Sequence, residues 1–329
     1  MLDVSVVIPN FNRASLLERA LISVGNQTHP PAAVVVADNG STDGSVECAI
    51  RFGARVVRFN ENLGFSRAVN EAVKQCTTRY IMVLNNDAVL APECLARLCE
   101  SAQAYAAAFA APMVMSQTAA GYLDGAWDLL AMSGCALRAG HGRKPSGPFL
   151  SARPITFAPF TAILINRALF QRLGGLNQEL GTYMEDVEFC LRCAMAGESG
   201  VYEPLAQATH LGSATDGPWS QRMVCQISRN QLLLVALHWP RPLGFPLAWT
   251  VCIGQSLWGL LALRRGCFRA WLRGKREAAA LWPAFRSRPP ANGSHEFLSI
   301  LRESDLSIRR LPAGAYWRLY HWLTPSGGS

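Results

Sequence analysis

Short polar side chains follow an apolar run in the stretch YIMVLNNDAVL, and their types are suited to binding a ligand. The run at Tyr80–Leu84 has the length and composition of a buried parallel strand. Asn85, Asn86 and Asp87 follow it at once. Ligands of open α/β sheets bind outside the carboxyl ends of the strands, where Asp87 falls. An ordinary polar turn, however, would use the same residue types.

Three earlier apolar runs end in the same way, and a helical pattern follows each of them. Strands are predicted at 4–8, 34–37 and 54–59, and the polar residues behind them are Asn10, Asp38 and Asn62. Asn12 is placed to cap the first helix, and Pro92 to open the helix after the Tyr80 strand. Strand and helix thus alternate four times in about a hundred residues. This pattern predicts an α/β fold with a doubly wound, mostly parallel, Rossmann-like sheet.

The later part of the first 240 residues is less regular. Further strands are predicted near 109–115, at 155–165 and at 206–210, with helices at 168–173 and from Glu185 onward. The Gly- and Ala-rich segment between 102 and 154 has the character of a binding loop or lid. No G-x-G-x-x-G or P-loop motif follows a strand, so a metal ion is the expected means of neutralising any bound phosphate.

Length and composition limit the number of domains and the class of protein. The chain has 329 residues, of which 50% are hydrophobic and 16% charged, so we expect one large folded domain with an extension, or two domains. Ten cysteines without a regular ligand spacing favour reduced cytosolic thiols over zinc. The first nine residues lack a basic segment, so no signal peptide is expected.

The positive charge is concentrated in the C-terminal quarter. Residues 241–329 hold 13 Lys and Arg against 4 Asp and Glu, whereas residues 1–240 hold 18 against 19. Nucleic acid or an anionic membrane surface could bind such a segment. The segment is rich in Trp and Leu and has no nucleic-acid signature, so the membrane is the expected partner and nucleic acid is not.

Residues 243–263 carry no charge and are long enough to span a bilayer. A spanning helix would separate the following basic residues from the first domain, against the positive-inside rule. An interfacial or re-entrant hairpin therefore fits better, and a helical cap packed on the first domain is the alternative. A linker is expected at 286–296, and an amphipathic helix near 316–323. The tryptophans and arginines expected at headgroup level are Trp249, Trp258, Trp271, Arg264, Arg265, Arg269, Arg273 and Arg276.

Six stretches together resemble glycosyltransferase family 2, the GT-A-type enzymes that move a sugar from a nucleotide donor. The similarity is to the bacterial rhamnosyltransferase-like branch, and it favours a functional role for Asp87 over an ordinary turn. It implies a catalytic domain at 1–238 and a membrane-associated helical extension at 239–329. The stretches are VSVVIPNFNR, VVVADNGSTDGS, RFNENLGFSRAVNEAV, YIMVLNNDAVLAPECL, GGLNQELGTYMEDVEFCLRCAMAG and ATHLGSAT.

The resemblance implies inverting transfer by a single displacement. One acid of the Glu185–Asp186 pair would deprotonate the acceptor hydroxyl. We assign this role to Asp186, with Glu185 supporting it and Glu188 one turn further on. Acids are also favoured in a first helical turn by the helix dipole, so a pure capping role is the alternative.

A metal site is implied as well. Asp87 matches the last acid of the family's DXD-type motif, but the first position here is Asn85, which removes one negative charge. His210 matches a downstream histidine that can complete the site. The hard oxygen ligands suit Mg²⁺ or Mn²⁺, which would stabilise the charge on the departing diphosphate.

On the donor side, Asp38 resembles the acid that accepts a hydrogen bond from a pyrimidine base, so a UDP- or dTDP-sugar is expected. The alternative is that Asp38 only caps its turn. The other residues expected to bind the nucleotide sugar are Pro9, Asn10, Asn12, Asn62, Gly64, Asn70 and Asn86.

These inferences predict a metal-assisted, inverting glycosyltransferase, with dTDP-rhamnose as the candidate donor. The acceptor would be a lipid-linked or cell-surface glycan at the cytoplasmic face of the membrane. A nucleotidyltransferase on a related sheet is one alternative, although its basic, Gly-rich N-terminal loop is missing. A non-catalytic sugar-nucleotide-binding or scaffold protein, in which Asn85 marks a lost metal site, is the other.

Overall fold

The computed structural model describes residues 2–212, 217, 219–288, 294–311 and 314–324. The end of the ATHLGSAT stretch, residues 213–215, lies outside these ranges. The chain divides into two compact units. The first consists of Met1–Asp128, Arg138–Cys193 and Glu198–Ala214, and the second of Leu129–Leu137, Ala194–Gly197 and Thr215–Ser329.

Alternating strands and helices form most of the first unit. Two short strands, β8 and β9, form a hairpin whose residues Leu129–Leu137 are assigned to the second unit. In chain order the strands are β1 (Val4–Asn10), β2 (Ala33–Asp38), β3 (Arg55–Arg58), β4 (Tyr80–Leu84), β5 (Ala88–Leu90), β6 (Phe109–Ser116), β7 (Leu123–Gly125), β8 (Asp128–Leu130), β9 (Ala136–Arg138), β10 (Arg153–Ile155), β11 (Ala162–Asn166) and β12 (Gly200–His210). The helices of the first unit are α1 (Ala14–Gly25), α2 (Ser45–Arg51), α3 (Phe65–Val73), α4 (Cys94–Ala104), α5 (Arg167–Arg172) and α6 (Glu185–Met195), with a 3₁₀ turn at Gly147–Leu150.

The first four strands form a parallel block of the main sheet, in the order β4-β1-β2-β3, and β6 and β12 form a second parallel pair. β1 and β4 are buried along their whole length, which explains why they read as unbroken apolar runs. β11 joins β4 in antiparallel orientation, and β6, β12 and β10 continue the sheet. The doubly wound α/β fold is confirmed, and the whole sheet is mixed rather than mostly parallel.

Two sequence-based element boundaries are wrong. The apolar run 155–165 is not one strand: β10 pairs with β12, whereas β11 lies between β4 and β6. Pro159 lies in the connection, where its lack of an N–H ends ladder pairing. The helix expected to open at Pro92 begins at Cys94, because the chain first forms β5 against β12.

The second unit is the expected helical extension. Its helices are α7 (Gln221–His238), α8 (Phe245–Arg264), α9 (Phe268–Arg286), α10 (Ser294–Arg310) and α11 (Ala315–Leu323). Of the expected linker at 286–296, residues 289–293 lie outside the described residues, whereas Arg286 ends α9 and residues 294–296 already belong to α10. α7 and α9 pack closely at Gly274, where any larger residue would collide with the Cys225 carbonyl oxygen. The chain's contacts therefore group α7 with the extension, whereas the sequence placed residues up to 238 in the first domain.

The three tryptophans expected at headgroup level have different environments. Trp249 on α8 is 45% exposed. Trp258 donates its indole N–H to Ser228 Oγ at 2.9 Å, and Trp271 packs over Gly259. Trp258 and Trp271 are thus half-buried and pack within the helical unit, whereas Trp249 is exposed, and the placement of the three at headgroup level stays a prediction.

Candidate active site

The carboxyl ends of β1, β2 and β4 bring three of the predicted residues into direct contact. The parallel register places Asn10 beside Asp38, and Asn10 Nδ2 donates to Asp38 Oδ1 at 3.4 Å. Asn86 Nδ2 donates in turn to Asn10 Oδ1 at 2.7 Å. Three segments that are distant in sequence therefore form one hydrogen-bonded row at this edge of the sheet. Pro9, one residue earlier, is buried in β1 opposite Ala37.

Asn12 joins this row through the loop after β2. Its backbone N–H donates to Ser41 Oγ at 2.8 Å, and its Oδ1 accepts from the Thr42 N–H at 2.9 Å. The expected capping of α1 by Asn12 is wrong, since Arg13 occupies the cap position without a side-chain bond. Asn12 and Arg13 both have left-handed backbone angles, φ 56° and 64°, which are uncommon for residues other than glycine.

Asp38 is fully buried, and both of its carboxylate oxygens accept hydrogen bonds. Oδ2 accepts from the Ser41 N–H at 3.0 Å, while Oδ1 accepts from Asn10. The carboxylate therefore holds the loop that follows β2, the turn-fixing role that the sequence left open beside base recognition.

The loop after β3 lies against the loop after β2. Asn39 Nδ2 donates to the Gly64 carbonyl at 3.4 Å, and Asn62 Oδ1 accepts from the Gly64 N–H at 3.0 Å. Gly64 has φ 85°, a conformation that favours glycine. Within the described residues Asn39 Oδ1 is buried without a hydrogen-bond partner. Asn62 and Gly64 thus lie beside a buried polar atom that has no partner in the described part of the chain.

Asn70 has a structural role instead of the expected contact with the donor. Its Nδ2 donates to the Leu176 carbonyl and its Oδ1 accepts from the Leu176 N–H, both at 2.8 Å. Both polar atoms of the side-chain amide are thus hydrogen-bonded within the protein. A Cβ at Gly175 would lie 2.5 Å from Asn70 Oδ1, so the glycine makes room for the amide.

His210 links the end of β4 to a loop that the sequence did not single out. His210 Nε2 lies 3.1 Å from Asp87 Oδ1, and Nδ1 lies 3.0 Å from Asp124 Oδ2. Burial lowers the pKa of His210, but the hydrogen bonds to Asp124 and Asp87 outweigh burial and raise that pKa to about 9. When both ring nitrogens carry a proton, each can donate to one of the two carboxylates.

The residues around Asp87 fit a divalent cation in part. Among the described residues no three His, Cys, Asp or Glu side chains converge to hold a metal by themselves. The 3.1 Å from Asp87 Oδ1 to His210 Nε2 nonetheless matches the spacing of about 3.0 Å between adjacent ligands of an octahedral ion with bonds of about 2.1 Å. Asn85 Oδ1 is buried, and no partner for it exists in the described part of the chain. These three donors suit Mg²⁺ or Mn²⁺ if a bound diphosphate supplies further oxygens.

Glu185 and Asp186 open α6 directly after two strained residues. Tyr183 and Met184 both have left-handed backbone angles, φ 71° and 70°. Consecutive non-glycine residues in this region are costly and cluster at functional sites. Asp186 Oδ1 accepts from the Val187 N–H at 2.8 Å, and its side chain is 16% exposed.

The two acids have different proton affinities. Burial raises the pKa of Asp186 to about 6; Asp128 adds to the rise and Arg138 opposes it. Burial and the adjacent Asp186 carboxylate raise the pKa of Glu185 well above its usual range. Near neutral pH Asp186 is therefore the acid of the pair that is available as a proton acceptor, close to the pKa that suits a general base.

Glu188, the acid one turn beyond the pair, is part of a structural ion pair. Its Oε2 lies 2.7 Å from Arg192 Nη2, and Arg192 also donates to the carbonyls of Leu173 and Gly175. This pair ties α6 to the turn before it.

We expect Arg192→Met to lower the free energy of unfolding by about 3–5 kcal/mol, because it removes the ion pair with the buried Glu188 carboxylate and the hydrogen bonds to two backbone carbonyls. Urea unfolding followed by circular dichroism measures this change. Arg172→Met, which removes an exposed ion pair with Glu198, is the matched control and should cost less than about 1 kcal/mol. Equal losses in the two variants would contradict the structural role of the Arg192 pair.

Three residues of this region were missed by sequence reasoning. Asp124 and Asp128 lie four residues apart in LDGAWD, and Arg138 Nε donates to Asp128 Oδ1 at 3.2 Å from the neighbouring strand of the β8/β9 hairpin. Two acids beside Gly125 and Trp127 were the available signal, but nothing in the sequence pairs them with Arg138. Together these contacts extend the network from Asp87 to Asp186.

Solved structures with the same arrangement of elements define the class. GalNAc-T7, solved with UDP, GalNAc and Mn²⁺, superimposes with a TM-score of 0.60 at 16% identity and covers 89% of this chain, which spans 59% of that longer protein. A mannosyltransferase of Pyrobaculum calidifontis, solved with GDP-mannose and Mn²⁺, gives a TM-score of 0.53 at 16% identity and covers 98% of this chain and 87% of its own. The fold is that of the GT-A glycosyltransferases.

Sequence comparison then gives the family. Residues 5–174 match the description Glycosyl transferase family 2, and the chain belongs to that family. An N-acetylglucosaminyl-diphospho-decaprenol L-rhamnosyltransferase of Mycobacterium tuberculosis is 26% identical over 294 residues, which cover 79% of this chain and 94% of the relative. The rhamnosyltransferase-like resemblance inferred from the motifs is thereby confirmed.

Proposed function

We propose that this family 2 transferase moves a sugar from a UDP or dTDP donor to a hydroxyl group of a lipid-linked or cell-surface glycan, with inversion. The observation that carries the proposal is the convergence of Asp38, Asp87 and Asp186 on one network of contacts within the first unit. Asp38 belongs to the row that contains Asn86, and Asp87 follows Asn86 in the chain. From Asp87 the contacts run through His210 to Asp124, and from Asp124 through Arg138 to Asp186.

The donor would lie along the row at the ends of β1, β2 and β4. Asn12 and the loop held by Asp38 would contact the base and ribose, above Pro9 and Asn10 in β1. Asn62, Gly64 and the unpaired Asn39 Oδ1 would face the ribose and diphosphate. In this arrangement Asp38 organises the base pocket, since its own oxygens are already bonded and buried.

Asn85, Asp87 and His210 would hold the divalent cation. When bound, such an ion neutralises negative charge on the diphosphate as it departs. A cation bound at His210 Nε2 would take the place of the proton on that nitrogen. Protons would therefore compete with the cation, and we expect Mn²⁺ binding to weaken as the pH falls.

Asp186 would accept the proton of the acceptor hydroxyl. As the acceptor oxygen bonds to the anomeric carbon, the bond from that carbon to the diphosphate oxygen breaks, and the nucleoside diphosphate leaves with the electron pair. The oxygen enters opposite the leaving group, so the anomeric configuration inverts. Glu185, whose pKa is raised, would stay protonated beside it.

The relative from Mycobacterium tuberculosis suggests the substrates. Its name describes transfer of L-rhamnose to an N-acetylglucosaminyl diphosphate carried on a polyprenol. We therefore favour dTDP-rhamnose as donor and a polyprenyl-diphosphate-linked sugar as acceptor.

A screen of sugar nucleotides by thermal shift, with and without Mn²⁺, tests donor choice first, because a ligand that binds only the folded state raises the melting temperature. Incubation with the selected donor, with and without EDTA, then tests the chemistry. Metal-dependent release of nucleoside diphosphate supports the transferase, whereas release of pyrophosphate or binding without turnover contradicts it.

A membrane-facing surface is part of the proposal, and α8 supplies it. One helix of the described residues, α8, is long and apolar enough to cross a bilayer. Its buried side contacts its own unit, for example through Gln255, which donates to the Ser133 carbonyl at 2.9 Å. Its other side is an exposed stripe at helical spacing, which we call the α8 stripe. The stripe consists of Phe245, Trp249, Cys252, Ser256, Leu260 and Leu263.

A helix with one packed side and one exposed apolar side is suited to lie in the interface plane rather than to span it. Exposed Arg264, Arg265 and Arg269 follow the α8 stripe and would meet anionic headgroups. Peripheral attachment at the cytoplasmic face would place the enzyme beside a lipid-linked acceptor.

We expect Leu263→Glu to reduce partitioning onto anionic vesicles about tenfold or more, since burial of one leucine contributes about 1.5–3 kcal/mol. Flotation with vesicles that contain phosphatidylglycerol measures the bound fraction. Leu205→Glu on β12 is the matched control, because Leu205 is 67% exposed and Leu263 is 56% exposed. If both variants bind like the parent chain, or both lose binding equally, the α8 stripe is not the attachment surface.

A further inference from the structure

One guanidinium group connects the two ends of the candidate site. Arg138 Nε lies 3.2 Å from Asp128 Oδ1, Nη1 lies 3.7 Å from Asp124 Oδ2, and Nη2 lies 3.9 Å from Asp186 Oδ2. Each terminal nitrogen of the group thus faces a different carboxylate. Arg138 therefore lies beside Asp186, the acid assigned as the base.

Neighbouring residues fix the position of the Arg138 side chain. Its side chain is only 32% exposed, and Asp128 beneath it is buried. A Cβ at Gly125 would lie 2.5 Å from Arg138 Cδ, so the absence of a side chain there makes room for the arginine stem. The β8/β9 hairpin places Asp128 and Arg138 on adjacent strands.

The groups that face Asp186 are few and opposed in sign. Asp128 and Arg138 approach it from the hairpin, and Glu185 and Cys190 lie on its own helix. Arg138 is the cation within this set. Without it, Asp186 would be an acid in a buried site next to two other acids, conditions under which a carboxyl group keeps its proton.

We propose that Arg138 is a positioning residue that holds Asp186 in place and keeps its carboxylate ionised, so that Asp186 can accept the proton of the acceptor hydroxyl. The proposal rests on the proposed function for the role of Asp186. It adds a residue and a structural element, the β8/β9 hairpin, to the machinery of the transfer reaction.

The signs of the neighbouring charges give opposite expectations for two variants. Arg138→Gln removes the charge that favours the ionised form, so the pKa of Asp186 should rise above its value of about 6. Asp128→Asn removes a charge that disfavours the ionised form, so the same pKa should fall. Both substitutions remove the same ion pair between Arg138 and Asp128. A merely structural role of that bond would shift both variants in one direction.

A carboxyl titration by ¹³C NMR of the full chain, labelled at aspartate Cγ, measures this without any substrate. The signal of Asp186 is identified by its loss in Asp186→Asn. We expect a rise of about one pH unit in Arg138→Gln and a fall of about one unit in Asp128→Asn. Arg138→Lys, which keeps the charge, should lie closer to the parent chain than Arg138→Gln does. Circular dichroism reports whether each variant folds. If Arg138→Gln does not fold, the role of Arg138 is tested by the other two variants: the pKa of Asp186 should fall in Asp128→Asn and stay near the parent value in Arg138→Lys.

The pH dependence of kcat, once a donor is known, should show the same shifts in its acid limb. Shifts of both variants in the same direction, or an unchanged Asp186 titration, would overturn the role of Arg138 while leaving the transferase assignment intact. Opposite shifts in the titration, together with no transfer of any sugar, would instead reject the proposed function and keep the electrostatic coupling.

Discussion

Replacement of Asp186 by Asn is expected to lower the rate of sugar transfer by about 10²- to 10⁴-fold, the usual contribution of a general base. Asn has nearly the same shape and can still accept the hydrogen bond that the Val187 N–H donates. It cannot accept a proton from the acceptor. The position proposed for the donor is the row formed by Asp38, Asn10 and Asn86, which does not include Asp186, so donor binding should be unchanged.

Two measurements on the same preparation separate chemistry from binding. The rate of nucleoside diphosphate release in the presence of acceptor should fall, and the thermal shift produced by the donor should stay. Glu93→Gln at the N-cap of α4, an exposed acid paired with Arg97, is the control and should keep full activity. Near-normal transfer by Asp186→Asn would show that another group removes the proton.

Asp87→Asn should produce the second large loss, about 10²- to 10³-fold in transfer, because it weakens electrostatic stabilisation of the departing diphosphate. Asp87 is the carboxylate among the three donors assigned to the cation, since Asn85 is neutral. The Mn²⁺ concentration required for half-maximal activity should rise steeply.

Asn85→Asp is the opposing variant, since it restores a negative charge where an unpaired amide oxygen is buried. It should lower the Mn²⁺ concentration required for half-maximal activity, and Glu93→Gln should leave it unchanged. A metal requirement that is the same in Asp87→Asn, Asn85→Asp and the parent chain would mean that the cation binds elsewhere.

The parallel half of the sheet could be predicted from the sequence because its physical signals are local. β1 and β4 are buried on both faces, so they appear as short apolar runs, and the polar residues behind them mark the sheet edge. Parallel register then brings Asn10 beside Asp38 with little further information. The second half of the sheet was harder, because an apolar run such as 155–165 does not reveal that the chain changes partners within it.

The remaining part of the site could not be predicted, since it depends on contacts between distant segments. Asp124 contacts His210 across 86 residues, and no local pattern connects the two. From the sequence alone Arg138 cannot be told from a surface arginine, because the three carboxylates that it faces lie on separate elements, β7, β8 and α6. Conversely, Asn70 and Glu188 matched family motifs, yet their side chains are committed to Leu176 and Arg192.

In the helical unit, too, the sequence could not predict which residues are buried. An uncharged segment of this length predicts a membrane-associated helix, but it does not tell which side of that helix is covered. Trp258 and Trp271 have the composition of a membrane interface and are packed within the unit, whereas Trp249, Leu260 and Leu263 are exposed. Only coordinates could separate the two sets.

The most direct test of the account is the transfer reaction itself, followed by NMR of the product. The parent chain is incubated with Mn²⁺, dTDP-rhamnose or UDP-sugars, and a polyprenyl-diphosphate-linked N-acetylglucosamine. We expect release of the nucleoside diphosphate and a new glycosidic bond whose anomeric configuration is opposite to that of the donor. A product with retained configuration, or no product with any donor that binds, would contradict single displacement with Asp186 as the base.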